Sequence, residues 1–403
     1  MTDLADMRAE ALRIFRAGVA AANPNAAVTG ALDKVDERPA LIIAVGKAAR
    51  GMAQAAMQRF PGAKTIVVTN YENAKPLDGA EVFAAGHPVP DDNGAAAGRA
   101  VIAALGAVDG PVLALISGGG SALLPAPAGD LTLADKAAVN RILLGAGLAI
   151  GQMNLIRQQL SDIKGGGFLR HAAHYPVTAL LLSDVIGDDL AAIASGPTVA
   201  PLGTAEDAVA LLRSAGIWDQ MPDAVRLHLK TPRAQPVVPQ AVNILVGSNG
   251  QSVNAMAAAA PGAHLLAAPV EGDVADAARL ICDQARPGVT LWGGETTVQL
   301  RGAGRGGRNQ ELALRIAMEA STRGWPDWVC LQGGSDGRDG PTDAAGGLVD
   351  AETLHKINAK GGDLQALLTE NDSYAALTLA GDLLMTGATG TNVADLGIMI
   401  RKG

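Results

Sequence analysis

Charged side chains lie among glycines at two places in the C-terminal half of the chain. The segment GAGRGGRNQ carries Arg305, Arg308 and Asn309, and the segment GGSDGRDGPTDAAGG carries Asp336. Glycine lets backbone N–H groups approach an anion closely, and arginine binds phosphate or carboxylate through two parallel hydrogen bonds. Aspartate binds a hard metal ion or accepts a proton. These residue types therefore predict a site for an anionic ligand.

A second glycine run, SGGGS, follows the apolar segment VLALIS in the N-terminal half. Glycines between the end of a buried strand and a helix can surround a phosphate with N–H groups. A tight turn is the alternative interpretation, but a turn requires fewer glycines. We therefore expect Gly118, Gly119, Gly120 and Ser121 to bind phosphate.

Two lysines lie beside further glycines. Lys47 follows the apolar segment LIIAVG, and Lys164 precedes a run of three glycines. A lysine in the first turn of a helix opposes the helix dipole, which favours a ligand for Lys47 over simple solvation. Lysine before a glycine cap is common at helix ends, so for Lys164 both helix termination and ligand binding stay open.

Acidic residues follow the strand pattern VTALLLSDV, with Asp184 at its end and Asp188 and Asp189 shortly after. Carboxylates at the end of a parallel strand suit a Mg²⁺ ligand or a general base. This favours a functional role for Asp184, whereas the other two could equally cap a helix. His87, in GHPVPD, has a loop-like position at a strand end, where the sequence alone favours a structural role over a binding role.

The segment that starts at Gly302 also matches the dinucleotide pattern GxGxxG. That fingerprint requires a buried strand before it and an acidic residue about 20 residues later. The preceding TTVQL alternates polar and apolar residues, which predicts a half-exposed strand, and no strand-ending acid has the required spacing. The pattern therefore argues against NAD and favours a helix at Arg308 whose N–H groups bind a phosphate.

Composition excludes several classes of protein. The chain has 403 residues, of which 48% are hydrophobic, and a net charge of −8 without a basic block, which argues against nucleic-acid binding. Apolar runs stay below the roughly 18 residues of a membrane span. The acidic N-terminus is unlike a signal peptide, and two cysteines fit a reduced cytoplasm.

Apolar strand patterns alternate with helix patterns along the whole chain. This alternation predicts an α/β protein with mostly parallel sheets and helices on both faces, Rossmann-like in the N-terminal half. The proline-rich segment 230–240 has no apolar period and is the predicted linker. We therefore expect an N-terminal domain over residues 1–234 and a C-terminal α/β domain over residues 240–403.

Together these motifs resemble the class II glycerate kinases, or glycerate 2-kinases, whose C-terminal MOFRL module would span about residues 288–400 here. Each motif alone is weak, but their common order is specific. The segments that carry the resemblance are VGKAA (45–49), GHPVPD (86–91), SGGGSALL (117–124), IKGGG (163–167), LLSDVIGDDLAAIASGPT (181–198), GGETTV (293–298), GRGGRNQELAL (304–314), SDGRDGPTDAAG (335–346) and TGATGTNVADL (386–396).

The resemblance implies transfer of phosphate from ATP to the 2-hydroxyl of D-glycerate with Mg²⁺, in a cleft between two α/β domains. It also implies Lys47 and Arg308 as the catalytic pair, assisted by Asp184 or Asp189. The remaining expected contacts are Gly118–Ser121, Lys164, Gly165 and Gly166 for the nucleotide phosphates, His87, Ser117, Arg305 and Asn309 for glycerate, and Asp184, Glu295 and Asp336 for Mg²⁺.

Two other functions compete with this hypothesis. One is an NAD(P)H-dependent reductase of hydroxypyruvate or tartronate semialdehyde, a label that family members have carried. The other is a metabolite-binding protein without catalysis, against which the retained Lys, Arg and Asp residues argue. The expected partners are D-glycerate and ATP, without nucleic acid or membrane, and a homodimer is one option for the assembly.

Overall fold

The structure is a computed structural model that describes residues 4–172, 175–232 and 237–403. The chain folds into two compact units, Pro24–Val246 and a unit that joins Met1–Asn23 to Gly247–Gly403. The predicted division placed the first 23 residues with the N-terminal domain, whereas the structure places them in the other unit. Residues 233–236 of the predicted linker, including the predicted boundary at 234, lie outside the described residues.

The N-terminal helix explains this division. Helix α1 (Leu4–Ala21) buries Ile14 and Phe15 in an apolar cluster of the unit that contains Gly247–Gly403. On the same helix, Arg8 donates hydrogen bonds to the buried carboxylates of Asp350 and Asp382 at 2.5 and 2.9 Å. Apolar burial and these ion pairs together hold α1 on a unit that is distant in sequence.

The 24–246 unit contains a six-stranded sheet with the strand order β3-β2-β1-β4-β5-β6. Neighbouring strands from β3 to β5 pair in parallel, which confirms the predicted Rossmann-like fold. The strands are β1 (Leu41–Val45), β2 (Lys64–Asn70), β3 (Ala80–Ala85), β4 (Val112–Ser117), β5 (Val177–Leu182) and β6 (Val242–Gly247). The helices are α2 (Pro24–Thr29), α3 (Ala49–Arg59), α4 (Asp92–Gly106), α5 (Gly120–Leu123), α6 (Leu133–Gly145), α7 (Ile150–Gln159), α8 (Gly167–His171), α9 (Ala205–Ser214) and α10 (Asp223–Lys230).

The central strands β1 and β4 are buried along their whole length. Continuous apolar runs of this kind belong to parallel strands that are covered on both faces. Because β1, β4 and β5 are adjacent and parallel, their carboxyl ends lie at one edge of the sheet. The segments after these strands carry Lys47, Gly118 and Asp184, so the sheet brings the three predicted site residues to the same edge.

The other unit contains a mixed sheet with the order β12-β11-β10-β13-β9-β7, in which β8 also pairs with β9. The strands are β7 (His264–Leu265), β8 (Val270–Asp273), β9 (Gly288–Thr297), β10 (Trp328–Gly334), β11 (Gly346–Asp350), β12 (Leu383–Leu384) and β13 (Asp395–Arg401). The helices besides α1 are α11 (Asn249–Ala259), α12 (Val274–Gln284), α13 (Arg308–Thr322), α14 (Thr353–Ala359), α15 (Leu364–Thr369) and α16 (Ser373–Ala380).

The prediction of mostly parallel sheets is wrong for this second unit. Strands β7 and β8 pair in parallel with β9, but the pairs β9·β13, β13·β10, β10·β11 and β11·β12 are antiparallel. Parallel neighbours need a crossover connection, usually a helix. The loop between β10 and β11 contains no helix, so the chain turns back and pairs antiparallel.

The predicted strand over TTVQL is only partly present. Strand β9 ends at Thr297, where its pairing with β8 also ends. Beyond that point the side chain of Asn371 binds the backbone, since its Oδ1 accepts from Arg301 N and its Nδ2 donates to Gln299 O. A side chain thus replaces the strand partner. Within the described residues no helix is both long and apolar enough to cross a membrane.

Candidate active site

The glycines after β4 let three functional side chains approach the same loop. A Cβ at Gly118 would overlap with the carboxylate of Asp184. A Cβ at Gly119, which has a φ of 83°, would lie 3.1 Å from the His87 ring and 3.3 Å from Lys47 Cγ. The absence of a side chain at these glycines allows the approach. Lys47, His87 and Asp184 therefore surround the Gly118–Gly119 turn.

Hydrogen bonds hold the Lys47 segment against this loop. Lys47 N donates to Gly118 O at 2.9 Å, and Ala48 N donates to the buried Ser117 hydroxyl at 3.1 Å. Burial lowers the pKa of His87, and the positive charge of Lys47 lowers it further. Burial and the neighbouring positive charge therefore favour the neutral form of the His87 imidazole.

Ser121 is the first member of a buried chain of polar side chains. Lys164 Nζ donates to Ser121 Oγ at 2.7 Å, and Ser121 Oγ lies 2.8 Å from Ser195 Oγ. Ser195 Oγ in turn donates to Asn154 Oδ1 at 3.2 Å. Burial lowers the pKa of Lys164 well below its ordinary value, and the nearby charges of Lys136 and Arg157 lower it further. A lysine at this position therefore either binds a ligand or lowers the stability of the fold, because its amine is buried without a counter-charge.

The two glycines after Lys164 use their N–H groups inside the protein. Gly165 N donates to Ser195 O at 3.1 Å, and Gly166 N donates to Gly196 O at 2.9 Å. Both have positive φ angles, 52° and 76°, that favour glycine. These bonds fix the Lys164 segment against Ser195 and leave the two N–H groups without a free bond for phosphate.

The strand end that carries Asp184 continues into a strained turn. Asp189 is exposed, and its Oδ1 accepts from Ala191 N at 2.9 Å, so the carboxylate caps the turn. Ala194 and Ser195 have φ angles of 50° and 62°, which non-glycine residues adopt at a cost of order 1–3 kcal/mol each. In this backbone conformation the Ser195 hydroxyl lies 2.8 Å from Ser121 Oγ.

In the other unit, Arg308 begins α13 and is held by two carboxylates. Its Nε and Nη2 donate to Asp395 at 2.7 and 3.1 Å, and its Nη1 donates to Glu295 Oε1 at 2.8 Å. Burial works against its charge, but the bonds and charges of Asp395 and Glu295 outweigh this and raise the pKa of Arg308. The guanidinium is therefore charged and fixed in orientation, and about one third of the side chain is exposed.

We expected the N-terminus of α13 to bind a phosphate, but a carboxylate of the protein occupies this position. Asp339 is buried and its carboxylate accepts from Asn309 N at 3.1 Å and from Gln310 N at 2.9 Å. A Cβ at Gly307 would overlap with this carboxylate. Burial raises the pKa of Asp339 to about 6, although the backbone bonds oppose this shift. A side chain of the protein thus occupies the position predicted for phosphate.

Asn309 is also buried within the protein. Its Nδ2 donates to Asp339 and Asp395 at 3.2 and 3.0 Å, and its Oδ1 accepts from Gln332 Nε2 at 2.7 Å. Both amide hydrogens and the oxygen are used, and 1% of the residue is exposed. The geometry makes Asn309 a support for Asp395, and through it for Arg308, instead of the predicted contact with glycerate.

Packing accounts for the GxGxxG glycines without a dinucleotide. A Cβ at Gly302 or Gly304 would overlap with the backbone of Glu370, and a Cβ at Gly306 would overlap with the Ser373 hydroxyl. Arg305, which follows Gly304, is exposed and lies over the ring of Tyr374 at 5.0 Å.

The predicted metal ligands do not form a ready-made metal site. In the described part of the chain no group of three or more His, Cys, Asp or Glu residues is arranged to hold a metal ion. Asp184 lies against Gly118, Glu295 binds Arg308, and Asp336 Oδ1 accepts from Arg338 N at 2.9 Å. Mg²⁺ often takes only one or two carboxylates from a protein and completes its coordination with phosphates and water, so separate carboxylates of this kind still fit it.

Sequence reasoning missed several residues that shape these sites. Asp395 and Asp339 lie in segments that carry the family resemblance, and this was the signal available from the sequence. Their burial, which requires a hydrogen-bonding partner, becomes visible only in the fold. Lys136 and Arg157 lie on the helices α6 and α7, and no motif marks them. Ser195 follows the acidic loop, but its contact with Ser121 depends on the fold.

Comparison with known proteins identifies the family. Residues 10–230 match a domain of unknown function, DUF4147, and residues 288–395 match the MOFRL family. A protein of Agrobacterium vitis named as a hydroxypyruvate reductase is 40% identical over 95% of this chain and 92% of its own length. Glycerate 2-kinase of Pyrococcus horikoshii is 36% identical over 98% of this chain and 97% of its own.

The fold comparison agrees with the sequence comparison. The crystal structure of glycerate kinase from Thermotoga maritima superposes with a TM-score of 0.89 at 36% identity, covering 98% of this chain and 99% of that one. These matches confirm the resemblance inferred from the nine motifs. The chain therefore belongs to the MOFRL-type glycerate kinase family.

Proposed function

We propose that this protein transfers the γ-phosphoryl group of ATP to the 2-hydroxyl of D-glycerate, giving 2-phosphoglycerate and ADP. Relatives that are named glycerate kinases are similar to this chain over almost their whole length. One observation carries the proposal: the Gly118–Gly119 turn is surrounded by Lys47, His87 and Asp184. Phosphoryl transfer depends mainly on positioning and on neutralising phosphate charge, and these residues supply a cation and a carboxylate at one loop.

The nucleotide phosphates would bind at Gly118–Ser121, with Lys164 behind Ser121. Bound Mg²⁺ would neutralise charge on these phosphates. Asp184 fits as its protein ligand because its carboxylate lies against Gly118 of the proposed phosphate-binding loop. Glu295 and Asp336 belong to the other unit, where they accept hydrogen bonds from Arg308 and from Arg338 N. The proposal therefore relies on Asp184 first and keeps the other two as further candidates.

Lys47 and Arg308 would bind the carboxylate of glycerate and the transferring phosphoryl group. Because Asp395 holds two nitrogens of Arg308, a ligand can reach the guanidinium by replacing Glu295 at Nη1. Glu295 is 44% exposed and is the more easily displaced partner. Asp189, exposed and fixed by Ala191 N, would accept the proton of the 2-hydroxyl.

A coupled assay tests the function. The protein is incubated with D-glycerate, ATP and Mg²⁺, and the product is converted by enolase with and without phosphoglycerate mutase. We expect signal without the mutase, which identifies 2-phosphoglycerate. A parallel reaction with hydroxypyruvate and NADH tests the reductase named for the Agrobacterium vitis relative. NADH oxidation without glycerate phosphorylation would overturn the proposal.

Two substitutions test the assigned residues. Lys47→Ala and Arg308→Ala should each lower kcat/KM by at least about 100-fold, since each removes a charged contact worth several kcal/mol in the transition state. Near-wild-type kcat/KM in either folded variant would refute that residue's role. A site between the domains, a homodimer and a cytoplasmic location remain predictions of the sequence.

A further inference from the structure

Lys164, whose Nζ donates to Ser121 Oγ, has two cationic neighbours, Lys136 on α6 and Arg157 on α7, and we call these three side chains the cationic cluster. Lys136 and Arg157 both lie close enough to Lys164 for their charges to lower its pKa. Among the described residues, Asp162 is the carboxylate whose charge raises the pKa of Lys136 and so partly offsets the effect of burial. The cluster thus holds more basic than acidic side chains in a chain whose net charge is −8.

Without a ligand, the charged form of the Lys164 side chain has no counter-charge to stabilise it. The residue is 5% exposed, and its Nζ donates to Ser121 Oγ, a neutral group that supplies no counter-charge. An unpaired charge in such surroundings is expensive, and the group loses its proton instead. An apolar side chain would be cheaper in the same space, so lysine at this position points to a ligand that supplies negative charge.

Ser121 connects Lys164 to the surface of the glycine loop. Ser121 is partly exposed, whereas Ser195 and Asn154 behind it are buried. Because Ser195 donates to Asn154 Oδ1, its oxygen is free to accept from Ser121, whose oxygen accepts from Lys164. An anion at Ser121 would therefore lie next to the Lys164 ammonium.

We propose that Lys136, Arg157 and Lys164, together with Ser121, form the binding site for the polyphosphate chain of a nucleotide, and that binding transfers one proton from solvent to Lys164 Nζ. The inference rests on the proposed kinase function for the choice of nucleotide. The proton balance is simple: the neutral amine takes up one proton and becomes an ammonium that pairs with phosphate. An opposite charge within a few ångströms favours the charged form.

Structural roles for the two helix residues are the competing explanation. Lys136 Nζ donates to Leu160 O at 3.3 Å, and Arg157 donates to Asn140 Oδ1. Both contacts leave a full positive charge without a carboxylate partner at hydrogen-bond distance among the described residues. Loss of a structural contact would lower stability, whereas loss of a phosphate contact would raise the Kd for nucleotide.

The test is titration of the protein with MgADP by calorimetry near neutral pH, in Tris, HEPES and PIPES buffers, whose ionisation enthalpies differ. We expect wild-type protein to take up close to one proton per bound ADP and Lys164→Met to take up none. Lys136→Met and Arg157→Met should each weaken MgADP binding about 10- to 150-fold, the value of a charge-assisted hydrogen bond. Lys64→Met, at an exposed lysine of the same unit, should bind like wild type.

Two further measurements make the result decisive. Tripolyphosphate should compete with MgADP, whereas 2-phosphoglycerate should not; competition by 2-phosphoglycerate alone would overturn the assignment to the nucleotide. The melting temperature of Lys164→Met should equal or exceed that of wild type, because the variant removes a buried amine.

The possible failures are distinguishable. If the wild-type protein phosphorylates D-glycerate but Lys136→Met and Arg157→Met keep its Kd for MgADP, the inference fails and the kinase function stands. Proton uptake that persists in Lys164→Met also overturns it. If tripolyphosphate binds with proton uptake but no glycerate is phosphorylated, the kinase function fails and the anion site stands.

Discussion

The Arg308–Asp395 pair allows a sharp test of how the arginine is positioned. Asp395 is 3% exposed, and its two oxygens accept three hydrogen bonds, two from Arg308 and one from Asn309. In Asp395→Asn one oxygen becomes an NH₂ group, which must face a donor nitrogen of Arg308 or Asn309. At least one charge-assisted bond is lost, and the negative charge that orients the guanidinium is lost with it.

The size of the effect follows from these hydrogen bonds. One charge-assisted hydrogen bond contributes about 1.5–3 kcal/mol, which corresponds to about 10- to 150-fold in kcat/KM for D-glycerate. If Arg308 mainly binds the glycerate carboxylate, KM should carry most of this change. If Arg308 mainly stabilises the transferring phosphoryl group, kcat should carry it. Steady-state kinetics by the coupled assay separates the two.

A matched control distinguishes positioning from loss of stability. Asp350 is 2% exposed and accepts a hydrogen bond from the guanidinium of Arg8, so it is a buried carboxylate paired with an arginine that fastens helix α1 and lies outside the candidate site. Asp350→Asn should lower the melting temperature to a similar extent and leave kcat/KM unchanged. The positioning argument would be refuted if Asp395→Asn kept kcat/KM within twofold of wild type, or if both variants lost activity equally.

Three further predictions follow from the sites. Arg308→Lys keeps the charge but loses the two-nitrogen fork, so kcat/KM should fall nearly as far as in Arg308→Ala; recovery to wild-type rates would contradict a role for the fork. Because the folded-state pKa of Asp339 is raised to about 6, the free energy of unfolding should decline by about 3 kcal/mol through this group as pH rises from about 4 to 6; urea unfolding of Asp339→Asn should lack that decline, and an equal slope would contradict it. Gly118→Ala should abolish activity, since its Cβ overlaps the Asp184 carboxylate, whereas Gly106→Ala, with open space around it, should retain kcat and melting temperature; a fully active Gly118→Ala would show that the loop tolerates displacement of Asp184.

Much of the fold was predictable because buried strands have an unambiguous pattern. The fully buried runs LIIAV and VLALIS predicted β1 and β4, and the alternation with helices predicted the parallel sheet of the 24–246 unit. Whether neighbouring strands of the second sheet run parallel or antiparallel was not predictable from the apolar pattern. The apolar residues of β10 and β11 would be buried in the same way in either arrangement. The position of α1 depends on the long-range pairing of Arg8 with Asp350 and Asp382, which no local pattern reveals.

The sites show the same division between local and long-range information. Glycine runs and strand ends pointed to Lys47 and Gly118, because parallel strands share one carboxyl edge. The occupation of the α13 N-terminus by Asp339 was not predictable, since a free helix N-terminus and one capped by a distant carboxylate have the same local sequence. Asn309 was assigned to substrate for the same reason, although its amide is used within the protein.

The two units treat positive charge in opposite ways, and this bears on what each can bind. Arg308 has two carboxylates within hydrogen-bond distance, so its surroundings carry a net negative charge before any ligand arrives. Such a group is suited to directional recognition of a small anion that replaces Glu295, because Asp395 keeps the fork oriented. Lys164 has cations and a neutral hydroxyl as neighbours, so its charged form lacks a counter-charge when no ligand is bound. These surroundings suit a ligand with several negative charges. A triphosphate supplies that charge and a monoanionic glycerate does not, so charge balance supports the proposal, based also on the glycine loop, that the nucleotide binds the 24–246 unit.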